Sequence, residues 1–112
     1  MKILITGGSG LLGQYLNIEL LKQHQILTIY NSNTGNCKEF NSVQTDILRS
    51  DTIEKLFDDF NPDVVIHTAA VTSTIPDKSI SSKHIFDLNV TATLKIAELC
   101  KKYKSKIIYT ST

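Results

Sequence analysis

Four glycines stand within seven residues near the amino terminus, in Thr6-Gly7-Gly8-Ser9-Gly10-Leu11-Leu12-Gly13. The apolar run Ile3-Leu4-Ile5 precedes them, and leucines at helical spacing follow. A buried strand therefore runs into a turn of small residues, and a helix begins inside that turn. Residues without side chains let main-chain N–H groups come close to an anion, and a helix N-terminus adds about half a positive charge there. The chemistry this spacing serves is the holding of a pyrophosphate. Gly8-x-Gly10-x-x-Gly13 matches the dinucleotide fingerprint, and Gly7-x-x-Gly10-x-x-Gly13 fits as well. Glycines at a helix start weaken the helix, so their number here needs a reason such as a ligand.

Other residue types are less informative. Cys37 and Cys100 lie far apart in sequence and match no metal or redox spacing, so both read as structural free thiols. His67 has no second ligand spaced to join it, so no metal is expected. Lys101, Lys102, Lys104 and Lys106 gather at a predicted helix end, where cations complement the helix dipole. Net charge is +1, from 12 basic and 11 acidic residues, which implies neither a nucleic-acid nor a membrane partner. No apolar run reaches membrane-spanning length and the chain opens on a strand, so cytoplasmic residence is the default.

These residues must be positioned by alternating elements. Lys2–Thr6 reads as a strand and Gly10 to about Gln23 as a helix carrying Leu11, Leu12, Tyr15, Leu16, Leu20 and Leu21. Ile26–Tyr30 is a second strand, followed by the turn composition Asn31-Ser32-Asn33-Thr34-Gly35-Asn36. Ser42–Asp46 is a third, weaker strand. Ser50 or Asp51 caps a helix whose inner face is Ile53, Leu56, Phe57 and Phe60, and Asn61-Pro62-Asp63 stops it. Val64-Val65-Ile66-His67 is a fourth strand, apolar enough to be buried on both faces. A loop from Val71 to about Ser82 carries Pro76. Ser81 or Ser82 caps a long helix to Tyr103, with Ile85, Phe86, Leu88, Ala92, Ile96 and Leu99 inward. Ile107–Tyr109 is a fifth strand. This βαβ spacing predicts one α/β domain over 1–112: a Rossmann-like three-layer fold with a parallel sheet ordered 3-2-1-4-5.

The second strand ends at Asn31-Ser32-Asn33. An acidic residue at that place usually takes the ribose 2′-OH of NAD. Here no carboxylate would repel a 2′-phosphate and Lys38 stands within reach of one, so NADP or NAD is the expected cofactor, with NADP slightly favoured.

From Lys2 to Thr112 the chain resembles the N-terminal part of the extended short-chain dehydrogenase/reductase family. Within that family it is similar to the NAD-dependent epimerases and dehydratases of nucleotide sugars, above all to the dTDP-4-dehydrorhamnose reductase branch. The likeness is carried by Thr6 to Gly13, Asp46-Ile47, Pro62 to Ala70, Asp77-Lys78, Asn89, and Ile107 to Thr112. The resemblance implies that the backbone at Gly10, Leu11 and Leu12 covers the pyrophosphate, that Gly13 allows close helix packing, and that Gly7 and Asn31 also belong to the cofactor site. It implies that Asp46 and Ile47 frame the adenine. Thr68, Ala69, Ala70 and Thr72 would leave room for the cofactor's sugars, and Asn89 would tie its helix to the fourth strand. Catalysis in the family uses a hydroxyl after the fifth strand, for which Thr112 stands first and Ser111 second.

The family's Tyr-x-x-x-Lys pair does not occur in these 112 residues: Tyr15 is followed by Glu19, Tyr30 by Thr34 and Tyr103 by Ile107. The chain is therefore expected to be the cofactor-binding part of a longer enzyme, without turnover by itself and without the family's later strands. Its nucleotide-sugar substrate would meet the full-length parent. An uncovered fifth strand is expected to pair with a second copy. Two alternatives stay open: the same part of an epimerase or dehydratase, and a non-catalytic dinucleotide-binding regulatory subunit. A receiver-like module would need an acidic pair near the first strand, and none is there.

Overall fold

The structure, a computed structural model, describes residues 1–69 and 87–110. Strands and helices alternate as β1 (Lys2–Thr6), α1 (Leu11–Leu21), β2 (Gln25–Tyr30), β3 (Ser42–Gln44), α2 (Ser50–Phe60), β4 (Val64–His67), α3 (Ala92–Tyr103) and β5 (Lys106–Tyr109). A 3-10 turn at Cys37–Glu39 precedes β3, and a π-helical turn at Asp87–Thr91 runs directly into α3. All strand pairs are parallel and the sheet order is β3-β2-β1-β4-β5. The arrangement is the Rossmann-like one that the βαβ spacing predicts.

Alternation along the strands divides the core in two. Leu4, Leu27, Ile29 and Val65 point to the face covered by α2 and α3, where Ile53, Phe57, Ile96 and Leu99 meet them. Ile3, Ile5, Ile26, Val64 and Ile66 point to the opposite face, against Leu16, Leu20 and Phe40. The Phe57 ring also contacts the Tyr103 ring at 5.8 Å, which joins α2 to α3. Lys102 donates to the Glu54 carboxylate at 3.0 Å across the same pair of helices. That exposed lysine thus serves a helix contact besides the helix dipole.

Three expectations need correction. α1 turns only Leu16 and Leu20 of its leucine row towards the core. Leu11, Leu12, Tyr15 and Leu21 are exposed, Leu16 and Leu20 are half-buried, and the buried positions are Gly13 and Asn17. Against the glycine turn the helix lies so close that a small residue, Gly13, and a hydrogen-bonding one, Asn17, stand there. β3 stops at Gln44 rather than Asp46, because Asp46 leaves the sheet to form a turn: its Oδ1 accepts from the Leu48 N–H at 2.9 Å, and its carbonyl from the Arg49 N–H at 2.9 Å. That turn delivers the chain into α2 one residue early, so the N-cap is Arg49, with no side-chain cap bond. Asn61 in the left-handed region (φ 51) ends α2, as Asn61-Pro62-Asp63 predicts. The Ser81 or Ser82 cap, the Val71 to Ser82 loop, and Ile85 and Phe86 lie outside the described residues.

Candidate dinucleotide site

Each glycine of the turn does a different job. Gly7 has φ +70, in the left-handed region that disfavours a side chain, and a Cβ there would press on the Thr68 hydroxyl and the Ala69 backbone. A Cβ on Gly8 would run into the Thr28 hydroxyl, and one on Gly13 would overlap the Gly7 carbonyl. Only the added atom on Gly10 would find ordinary contact, 3.4 Å from that carbonyl. Gly7, Gly8 and Gly13 therefore bring α1, β2 and β4 together, and Gly10 leaves the mouth of the turn clear. Two further bonds fix the turn: Gly8 N–H donates to the Ile29 carbonyl at 2.9 Å and Gly10 N–H to the Gly7 carbonyl at 3.0 Å.

The start of α1 carries uncompensated positive potential. Gly10 is the N-cap, no side chain caps it, and no acidic residue lies in the first turn. The first helical bond runs from Gln14 N–H to the Gly10 carbonyl at 2.9 Å. The amides of Leu11, Leu12 and Gly13 precede that bond and have no acceptor within the helix. Such a terminus suits an anion.

The turn opens on a cleft of about 250 Å³ at the carboxyl ends of β1 to β4, where ligands of open α/β sheets bind. Of the sequence-predicted residues, Gly7, Gly10, Asn31, Asp46, Ile47, Thr68 and Ala69 line it together. Leu11, Leu12 and Gly13 are not among its lining; what they offer is the main chain just described. Asn89 stands in the π turn, away from the lining. Ala70, Thr72, Ser111 and Thr112 lie outside the described residues. Ser9, Ile29, Tyr30 and Thr45 also line the cleft and were not anticipated. They are there because they flank the strand ends, a signal that sequence position carries and side-chain chemistry does not. Asp46 spends one carboxylate oxygen on its own turn; it is half-buried at the rim beside buried Ile47.

His67, the last residue of β4, is fully buried and fully hydrogen-bonded. Its Nδ1 lies 2.7 Å from Thr6 Oγ1 and its Nε2 2.9 Å from Thr93 Oγ1. The ring stacks on Tyr109 of β5 at 5.7 Å. It points into the sheet environment, as expected, and among the described residues no group of His, Cys, Asp and Glu could hold a metal. Burial lowers its pKa from 6.5 to about 4. Cys37 and Cys100 are buried free thiols, both raised by burial, Cys100 to about 11, which keeps them unreactive. No helix among the described residues is long and apolar enough to cross a membrane.

Residues 3–112 match the sequence model of the NAD dependent epimerase/dehydratase family. The chain belongs to that family. A dTDP-D-glucose 4,6-dehydratase of Dictyostelium discoideum is 38% identical, over 99% of this chain and 29% of its own length. The Bordetella bronchiseptica enzyme WbmG, solved in complex with NAD and UDP, superposes with a TM-score of 0.80 at 30% identity, over 96% of this chain and 36% of its own. A hypothetical dTDP-4-dehydrorhamnose reductase of Sulfolobus tokodaii gives a TM-score of 0.83 at 30% identity, over 97% of this chain and 38% of its own. The chain thus spans about a third of the length of these relatives.

In this epimerase/dehydratase-family chain the contact between Gly13 and the Gly7 carbonyl is backbone against backbone, so no side chain can yield. Gly13→Ala should cost about 2–3 kcal/mol of stability, measured by urea unfolding, because the helix must move off the turn. His67 supplies a second prediction. Its folded pKa lies below its unfolded one, so the unfolded chain takes up the proton first as pH falls. The stability tied to the neutral ring is whole above about pH 6.5, declines as pH falls from 6.5 towards 4, and levels off below 4. The full loss is about 3 kcal/mol. The fall in urea midpoint between pH 7 and pH 4.5 should shrink in His67→Gln.

Proposed function

We propose that residues 1–112 form the dinucleotide-binding domain of an NAD(P)-dependent enzyme acting on a nucleotide sugar. One observation carries the reading. The uncapped, acid-free start of α1 and the open face of Gly10 meet in one cleft with Asp46 and Ile47 at one rim and Thr68 and Ala69 at another. A pyrophosphate would lie on the amides of the turn, with the adenine towards Asp46 and Ile47. A bound nicotinamide supplies the hydride chemistry. This chain's residues bind and orient it. The acid–base work falls to groups beyond those described, with Thr112 or Ser111 as the hydroxyl and a tyrosine–lysine pair from outside these 112 residues. By itself the chain would turn over no sugar nucleotide.

The similarity to a reductase from Sulfolobus tokodaii supports a 4-keto-sugar reductase as the parent enzyme. The 38% identity to a 4,6-dehydratase supports dehydration of a dTDP-sugar equally well. Isotope-labelled dTDP-glucose and dTDP-4-keto-sugar, each incubated with the full-length enzyme, separate the two: a dehydratase releases water from the first, and a reductase consumes reduced cofactor with the second.

Binding is testable on the chain itself. Titration calorimetry should detect NAD, NADP and ADP-ribose, and Asp46→Ala should weaken all of them about tenfold through loss of a charge-assisted hydrogen bond to the adenine amine. Absence of any heat or amide shift at millimolar ligand would end the reading. Lys38→Ala tests cofactor choice. It should weaken NADP about fivefold and leave NAD unchanged, as loss of one exposed charge from a 2′-phosphate would.

A further inference from the structure

The buried polar atoms around His67 have only one consistent arrangement of protons. Thr6 Oγ1 accepts from the Thr68 N–H at 3.1 Å and from the Ala69 N–H at 3.3 Å, which occupies both of its lone pairs. Its single proton must then go to the remaining neighbour, His67 Nδ1 at 2.7 Å. At the far side of the ring, Thr93 Oγ1 donates its proton to the Asn89 carbonyl at 2.8 Å and so can only accept from His67 Nε2 at 2.9 Å. The Thr93 end requires the ring proton on Nε2 and the Thr6 end requires Nδ1 to accept; together they leave a neutral imidazole with its proton on Nε2. The result is a directional chain: Thr68 and Ala69 amides to Thr6, Thr6 to His67, His67 to Thr93, Thr93 to Asn89.

The chain joins three pieces of backbone with different roles. Thr6 is the residue from which the glycine turn departs, and its carbonyl also accepts from the Thr68 hydroxyl at 2.6 Å. Thr68 and Ala69 form one rim of the cleft. Asn89 belongs to the π turn, where the helical ladder is interrupted before α3 begins. π turns recur at functional sites. A threonine hydroxyl bonded back to the carbonyl four residues earlier is the local device that couples this turn to the histidine.

We propose that His67 is a positioning residue of the dinucleotide site: as the Nε2–H tautomer it holds the Thr68–Ala69 rim in register with the glycine turn and with the π turn at 87–91. The inference rests on the reading of the cleft as a dinucleotide site. It predicts a selective effect. A ligand that occupies only the Asp46–Ile47 side does not feel the rim, whereas one that crosses the glycine turn to Thr68 and Ala69 does.

Nitrogen-15 NMR of the wild-type ring and calorimetry of two variants test it. At pH 7 the His67 ring should show a protonated Nε2 and an unprotonated Nδ1. His67→Phe removes both bonds, and should weaken ADP-ribose about tenfold while leaving AMP within about twofold. His67→Gln keeps a donor and an acceptor and should recover part of the loss. A ring protonated on Nδ1 overturns the inference even if neither variant folds. So does a folded His67→Phe chain that binds ADP-ribose as well as wild type does, or that loses AMP and ADP-ribose equally. Wild-type chain that binds neither ligand overturns the dinucleotide reading itself and this inference with it. Wild type that binds both, with no selective loss in His67→Phe, overturns the inference alone.

Discussion

The structure turns on one backbone oxygen. The Gly7 carbonyl accepts from the Gly10 N–H at 3.0 Å, has the Thr68 hydroxyl oxygen 3.3 Å away, and lies where any side chain on Gly13 would have to go. The central strand, the first helix and the fourth strand meet at that point. If a side chain separated them, α1 would lift from the sheet and its first amides would leave the cleft. The same close approach that packs the domain therefore also bares the N-terminus of α1.

Polarity follows from that geometry. The middles of β1 and β4 are apolar on both faces, so burial alone specifies them. The buried polar residues Thr6, Thr28, His67 and Asn17 gather near the glycine turn, among apolar neighbours such as Ile29 and Cys37. An unsatisfied buried group costs about 1–3 kcal/mol, so this end of the sheet must be specified by hydrogen bonds as well as by burial. Asn17 does this through its amide nitrogen alone, its Oδ1 being buried without a partner among the described residues: Nδ2 donates to the Gly8 carbonyl at 3.1 Å and to Asn36 Oδ1 at 2.9 Å. Asn36 in turn donates to the Gln14 carbonyl at 3.0 Å. One helix residue thus fastens both the glycine turn and the loop after β2, two segments that line the cleft.

The parts that were legible in the sequence are those set by burial and by chain ends. β4 announces itself by an unbroken apolar run, and the sheet order follows from βαβ spacing together with the right-handed crossover rule. The family resemblance named Asp46, Ile47, Thr68 and Ala69, and all four line the cleft just past strand ends. The inward face of α1 was not legible. Of the leucine row only Leu16 and Leu20 reach the core, Leu11 is 93% exposed, and the fully buried positions are Gly13 and Asn17. Periodicity assumes that a helix stands off its sheet at ordinary distance, and here it does not. The start of α2 was misplaced for a related reason: the turn made by Asp46 replaces a capping side chain, and a carboxylate four residues before a helix carries no capping signature. Tyr30 and Thr45 reached the cleft through strand placement alone.

The family comparison has a physical counterpart in what this stretch is required to do. Its relatives bear the names of a dehydratase and a reductase, reactions with different outcomes at the sugar, yet they cover nearly all of this chain at 30–38% identity. The constraints visible here are a carbonyl that tolerates no Cβ beside it, an uncapped helix start, and a carboxylate and a threonine–alanine rim on either side of it. None of these refers to a sugar. When a cofactor carries the electrons, the protein's share is to hold it still and aim it, and that share is the same whichever bond is later made or broken. A sequence selected for holding and aiming records the cofactor closely and the substrate hardly at all. This is why the glycine turn speaks plainly for a dinucleotide and why the reaction must be read from the residues that meet the substrate.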